Sequence, residues 1–125
     1  RLLVPVNGGP DARSAAEIAC AIARGTGASV HALFVSQTGG RSRTRAGEES
    51  VLKDISDLGE RYGVRVSTHI SPRAGASDAI IMESRQNFAL IVIGAASRPG
   101  DALFFGNTIN DVLSASAVPV LLLAS

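Results

Sequence analysis

The sequence predicts one α/β domain spanning residues 1–125, a doubly wound five-stranded parallel sheet with helices on both faces. Three observations predict it. Short apolar runs alternate with amphipathic stretches along the whole chain, and such alternation implies right-handed crossovers and a parallel sheet covered on both sides. The runs SVHALFVS at 29–36 and ALIVI at 89–93 are apolar almost throughout, as strands buried on both faces are. Finally, 125 residues with 46% hydrophobic but only 4% aromatic content supply one aliphatic core and too little chain for two ordinary domains.

Arg1 to Val6 (RLLVPV) reads as the first strand, stopped by the turn residues Asn7-Gly8-Gly9-Pro10. A helix follows from Asp11. Its expected buried face is Ala15, Ile18, Ala19, Ile22 and Ala23, at helical spacing, and Gly25 and Gly27 are expected to end it. Ser29 to Ser36 is the second strand, and residues 37–45 are a polar, glycine-bearing loop. A second helix runs from about Gly47 to Tyr62. Val51, Ile55, Leu58 and Tyr62 form its inner face, and Gly63 its C-terminal cap.

Val64 to Ile70 alternates apolar and polar residues, the pattern of a sheet edge. Ser77 is expected to cap a third helix reaching about Asn87. Ala89 to Ile93 is the fourth strand. After a loop containing Gly94, Gly100 and Gly106, the pair Thr108 and Asp111 has capping-box spacing for a fourth helix to about Ser116. Val118 to Leu123 (VPVLLL) closes the sheet. No linker and no internal repeat interrupts this order.

Net charge is +1, so no polyanionic partner and no nucleic acid is implied. Arg41, Arg43 and Arg45 cluster beside Gly39 and Gly40, either as a solvated loop or as a patch that docks on an acidic surface. The lone Cys20 excludes an internal disulfide and fits a reducing compartment, hence the cytoplasm. No apolar run is long enough to insert in a membrane, and no signal peptide is visible. The absence of Met before Arg1 fits a trimmed chain or a piece of a longer one.

In doubly wound sheets, ligands sit beyond the carboxyl ends of the strands, where the winding reverses. Two loops can line that crevice here: Asn7-Gly8-Gly9-Pro10, and the segment from Gly94 to Gly106. The amides opening the last helix, at Gly106, Asn107 and Thr108, together with its dipole and Arg98, make a place for a phosphate. The bland alternative is that these residues only form turns and cap the helix. No Gly-Lys-Ser/Thr triplet and no G-x-G-x-x-G fingerprint is present. His31 and His69 read as structural or surface histidines. No cluster suggests a metal, and no nucleophile–base pair falls on the ligand side, so no enzyme is expected.

The chain resembles the universal stress protein family along its whole length, with the fold also described as adenine nucleotide alpha hydrolase-like. Leu3-Val4-Pro5-Val6-Asn7-Gly8 resembles the family's first strand, where an Asp usually stands at the Asn7 position. Leu90-Ile91-Val92-Ile93-Gly94 resembles the fourth strand, and Val118-Pro119-Val120-Leu121-Leu122 the fifth. ATP-binding members carry Gly, two residues, Gly, nine residues, then Gly-Ser or Gly-Thr. Here the run is Gly94-Ala95-Ala96-Ser97, eight residues, then Gly106-Asn107-Thr108. Ser97 replaces a glycine, the loop is one residue shorter, and Asn107 replaces the hydroxyl residue.

The resemblance implies a stress-response or regulatory domain that binds ATP, ADP, AMP or a related phosphate ligand, with no metal. Its implied contacts are Pro5, Asn7, Val35, Gly94, Ser97, Arg98, Gly106, Asn107 and Thr108. It also implies a homodimer paired through the fifth strand at Val118, Val120 and Leu122. The run Arg98 to Gly106 resembles domains fused behind cation/proton antiporters, which implies a transporter as partner and a membrane tether. The alternative is a module that binds no nucleotide, its crevice closed by Phe104 and Phe105, and that works by dimerising.

Overall fold

The computed structural model describes residues 1–35, 45–71, 75–95 and 106–124. In chain order the elements are β1 (Leu2–Val6), α1 (Pro10–Thr26), β2 (Val30–Phe34), α2 (Arg45–Tyr62), β3 (Val66–Ile70), α3 (Ala76–Ser84), β4 (Leu90–Ala95), α4 (Gly106–Ala115) and β5 (Val120–Ala124). All neighbours pair in parallel, in the order β3-β2-β1-β4-β5. β3 is an edge, as its alternating pattern predicts.

Successive strand residues face opposite sides of the sheet, so each strand feeds two cores. On one side Leu2, Val4, Val6, Val30, Ala32, Phe34 and Val92 pack under α1 and α2, with Leu52, Ile55 and Leu58 pointing inward from α2. On the other side Leu3, Leu33, Val35, Ile91 and Ile93 pack under Ala76, Ala79 and Ile80 of α3 and under Ile109 and Val112 of α4.

α1 differs from the sequence expectation in its phase. Its buried residues are Ala12, Ala15, Ala16, Ala19, Cys20 and Ala23, whereas Ile18 is 42% exposed. The small residues of α1 pack against β1 and β4, Ile22 sits partly buried at the margin of this core, and Ile18 faces out. Pro10 occupies the first turn, where its missing N–H costs nothing. Gly25 stays inside the helix, and it is Gly27, with φ of 75°, whose N–H closes on the Ala23 carbonyl at 2.8 Å.

Two expected caps are corrected. α3 begins at Ala76 after Gly75, so Ser77 lies inside its first turn and caps nothing; the helix ends at Ser84, short of Asn87. α4 begins at Gly106, which places Thr108 within its first turn rather than at the cap. The strands β2, β3 and β5 are also shorter than read, because Ser29, Val64, Arg65 and Val118 lie outside the ladders. Arg45 opens α2, and Arg41 and Arg43 lie outside the described residues. Among the described residues, no helix is long and apolar enough to cross a membrane.

Candidate functional site

The sheet order places the reversal of winding between β1 and β4, so the carboxyl ends of these two strands lie side by side. The sequence expectation assigns a ligand to the carboxyl ends of this pair, and the sheet order makes the two strands neighbours.

Pro5 explains why the sheet opens there. The bonds Leu2 N–H to Ser29 O and Val35 N–H to Val6 O show that even-numbered residues of β1 face β2. Odd-numbered residues, Leu3 and Pro5, therefore face β4. Proline has no N–H to give. The β1–β4 ladder accordingly holds Leu2↔Leu90 and Leu3↔Ile91 and stops, while β1–β2 continues to Val6↔Phe34. A proline in a central strand would ordinarily argue against that strand. Here the β1–β4 ladder stops before the carboxyl end, while the β1–β2 ladder runs on to Val6.

Asn7 follows directly. Its Oδ1 accepts the Gly9 N–H at 2.9 Å and shapes the turn into α1. That bond fixes the amide's orientation, so Nδ2 faces the other way, buried and without a hydrogen-bond partner. A buried donor left unmade costs free energy, and a ligand acceptor would satisfy it. Val35 is 1% exposed, and its peptide faces β1 through the N–H bond to Val6 O at 3.1 Å.

Gly94 holds the other wall. A Cβ there would overlap the Asp11 carbonyl oxygen and lie 2.7 Å from the Asp11 carbonyl carbon. The first turn of α1 thus rests backbone to backbone on the end of β4. Pro5 and Asn7 lie at the carboxyl end of β1 and Gly94 at that of β4, whereas Val35 follows β2, on the other side of β1. Gly106, Asn107 and Thr108 form the first turn of α4. Ser97, Arg98, Phe104 and Phe105 lie outside the described residues.

A cleft that the sequence did not foreshadow lies between the start of α1 and α2. It has a volume of about 390 Å³ and runs from Gly8, Gly9 and Pro10 past Arg13 to Ser50 and Asp54. Arg13 spans it, with Nε to Asp54 Oδ2 at 2.9 Å and a second nitrogen to Glu17 Oε1 at 2.6 Å. The hydrogen bond that Arg13 donates to Asp54, then the Asp54 charge, holds the guanidinium above its ordinary pKa. The Glu17 pair was legible as an i, i+4 spacing. Asp54, 41 residues from Arg13, was not.

Cys20 is fully buried, and burial, followed by the Glu17 charge, pushes its thiol pKa up. That is the opposite of what a nucleophilic cysteine requires. His31 is buried between Glu83 and Ser67, bonded to each at 2.7 Å. Among the described residues, no group of three His, Cys, Asp or Glu is placed to hold a metal ion.

The profile of the Universal stress protein family matches residues 1–124. No curated protein sequence matches the chain. Among solved structures, a universal stress family protein from Burkholderia pseudomallei superposes with a TM-score of 0.79 at 18% identity, covering 99% of this chain and 95% of that one. The universal stress protein from Archaeoglobus fulgidus, solved in complex with dAMP, gives 0.76 at 21% identity, with 97% and 94% coverage. A family protein from Arabidopsis thaliana with AMP bound gives 0.70 at 18% identity, with 98% and 90% coverage. Likeness at these identities speaks to the fold.

Proposed function

The chain belongs to the universal stress protein family, and from that premise we propose that it is a regulatory domain whose β1–β4 crevice binds an adenine nucleotide without transforming it. The observation that carries this reading is the unsatisfied Nδ2 of Asn7 at the switch point, between a strand ladder ended by Pro5 and a wall closed by Gly94. Structural relatives crystallised with dAMP and with AMP support the ligand class. The base and ribose would lie against Pro5, Asn7 and the Val35 backbone, and the phosphate at the start of α4, near Gly106, Asn107 and Thr108. Ser97 and Arg98, which fall between Gly94 and Gly106 in sequence, are further candidate phosphate contacts. Bound nucleotide would shift the population of conformers of the domain. A partner, including a transporter tethered to the same chain, would read the change in the cytoplasm as part of a stress response.

The test is calorimetric titration with AMP, ADP, ATP and cAMP. Saturable binding by at least one of them is expected. Asn7→Ala should weaken it up to about tenfold, the value of one hydrogen bond. Flat titrations at millimolar nucleotide would remove the proposal.

A second reading rests on β5. This edge strand exposes Leu122 at 36%, and Leu113 of the adjoining α4 is 53% exposed. An apolar edge invites pairing with a second copy, so we propose a homodimer through Val118, Val120 and Leu122. Light scattering should return twice the monomer mass, and Leu122→Arg should return the monomer. A monomeric wild type at high concentration would count against strand pairing.

A further inference from the structure

On the face opposite α1 and α2, three side chains from three elements form one hydrogen-bonded chain that the nucleotide reading does not use. His31 lies on β2, Ser67 directly beside it on β3, and Glu83 on α3. His31 Nε2 is 2.7 Å from Glu83 Oε2, and His31 Nδ1 is 2.7 Å from Ser67 Oγ. The His31 and Glu83 side chains are only 11% and 14% exposed, whereas Ser67 lies in the exposed stretch of the edge strand. Phe88, itself 8% exposed, covers the imidazole with ring centroids 5.6 Å apart, and His69 stacks at 6.4 Å.

From this geometry we propose that Ser67 is an activated nucleophile toward small uncharged carboxylic esters, with His31 as its base and Glu83 as the group that orients the base. A carboxylate only accepts, so Nε2 of the neutral imidazole carries the proton toward Glu83. The Nδ1 lone pair is then directed at the Ser67 hydroxyl. A nucleophile held by a base, with the base fixed by a third group, is the general arrangement of serine hydrolysis; the two ring nitrogens exchange roles relative to the common triads.

The step balances without any further reagent. Ser67 Oγ bonds to the ester carbonyl carbon, the hydroxyl proton passes to His31 Nδ1, and the carbonyl π pair moves onto oxygen. The tetrahedral adduct then expels the alkoxide, which takes the proton from Nδ1 and leaves as the alcohol. Water repeats the sequence on acyl-Ser67 and releases the carboxylic acid.

The edge position supplies a donor for the oxyanion. Val30 N–H bonds Arg65 O and Ser71 N–H bonds Phe34 O, so odd-numbered residues of β3 face β2. The Thr68 N–H, next after the nucleophile, faces the open edge. Such a shelf is open on one side, which suits a short acyl group.

The test is covalent labelling of the intact chain with diisopropyl fluorophosphate, which loses fluoride when a serine attacks it, followed by peptide mapping. Ser67 is expected to label at least tenfold faster than any other serine. Ser67→Ala should remove both the adduct and the hydrolysis of p-nitrophenyl acetate above background. Glu83→Gln, which keeps shape but not charge, should slow labelling at least tenfold. If that variant fails to fold by circular dichroism, wild-type labelling and Ser67→Ala decide the matter, since Ser67 is exposed. Absence of an adduct on Ser67 in folded protein would overturn the proposal. So would labelling unchanged in a folded Glu83→Gln, because the three residues would then only tie α3 to the sheet.

Discussion

Gly94→Val is expected to destabilise the chain by about 3 kcal/mol or more, at the upper end of what overpacking costs. The new side chain meets the Asp11 main chain, not a flexible side chain that can swing away. Relief requires α1 to lift from β4, and α1 carries six buried residues of the core above the sheet centre. Nucleotide binding should fall with stability, because the same contact closes one wall of the crevice. Gly25→Ala is the internal control. A Cβ at Gly25 meets nothing within 4 Å, and the site is helical, so this change should stabilise by roughly 0.5–1 kcal/mol. Denaturant titration of both variants reads the contrast. A Gly94→Val midpoint equal to that of wild type would mean that α1 does not rest on β4.

Ile91→Ala carries the other large effect, about 2–5 kcal/mol, the range for removing a buried branched chain and leaving a cavity. Ile91 is 0% exposed, packs in the layer beneath α3 and α4, and sits on a strand paired on both sides. For a chain of this size the melting temperature should drop by roughly 10 °C or more. A loss under 1 kcal/mol by denaturant titration would show that α3 and α4 collapse into the space.

Where the sequence succeeded, the signal was local. Alternation of apolar and amphipathic runs identified all nine elements, and the polar alternation at Ser67 and His69 marked β3 as an edge. The turn residues Asn7-Gly8-Gly9-Pro10 placed the junction between β1 and α1. Where it failed, the deciding quantity was spatial. Hydropathy weights Ile18 above alanine, so the expected face of α1 took in Ile18, which is exposed, and missed Ala12, Ala16 and Cys20, while Ala15, Ala19 and Ala23 are buried as expected. Ser77 and Thr108 have capping chemistry, but the chain enters each helix earlier, at Ala76 and Gly106. The Arg13–Asp54 pair and the Ser67–His31–Glu83 chain join residues 41, 36 and 52 positions apart, and no spacing rule reaches that far.

The missing rung at Pro5 has a mechanical consequence. Strands β3, β2 and β1 are stitched to one another by five register pairs at each junction, and so are β4 and β5. The two groups meet along a seam of two pairs, both at the far end from the crevice. A sheet yields where its backbone bonds are fewest. Its most thinly bonded line therefore reaches the carboxyl ends of β1 and β4, and under the proposed binding mode a nucleotide there would act as a wedge on the angle between the two halves.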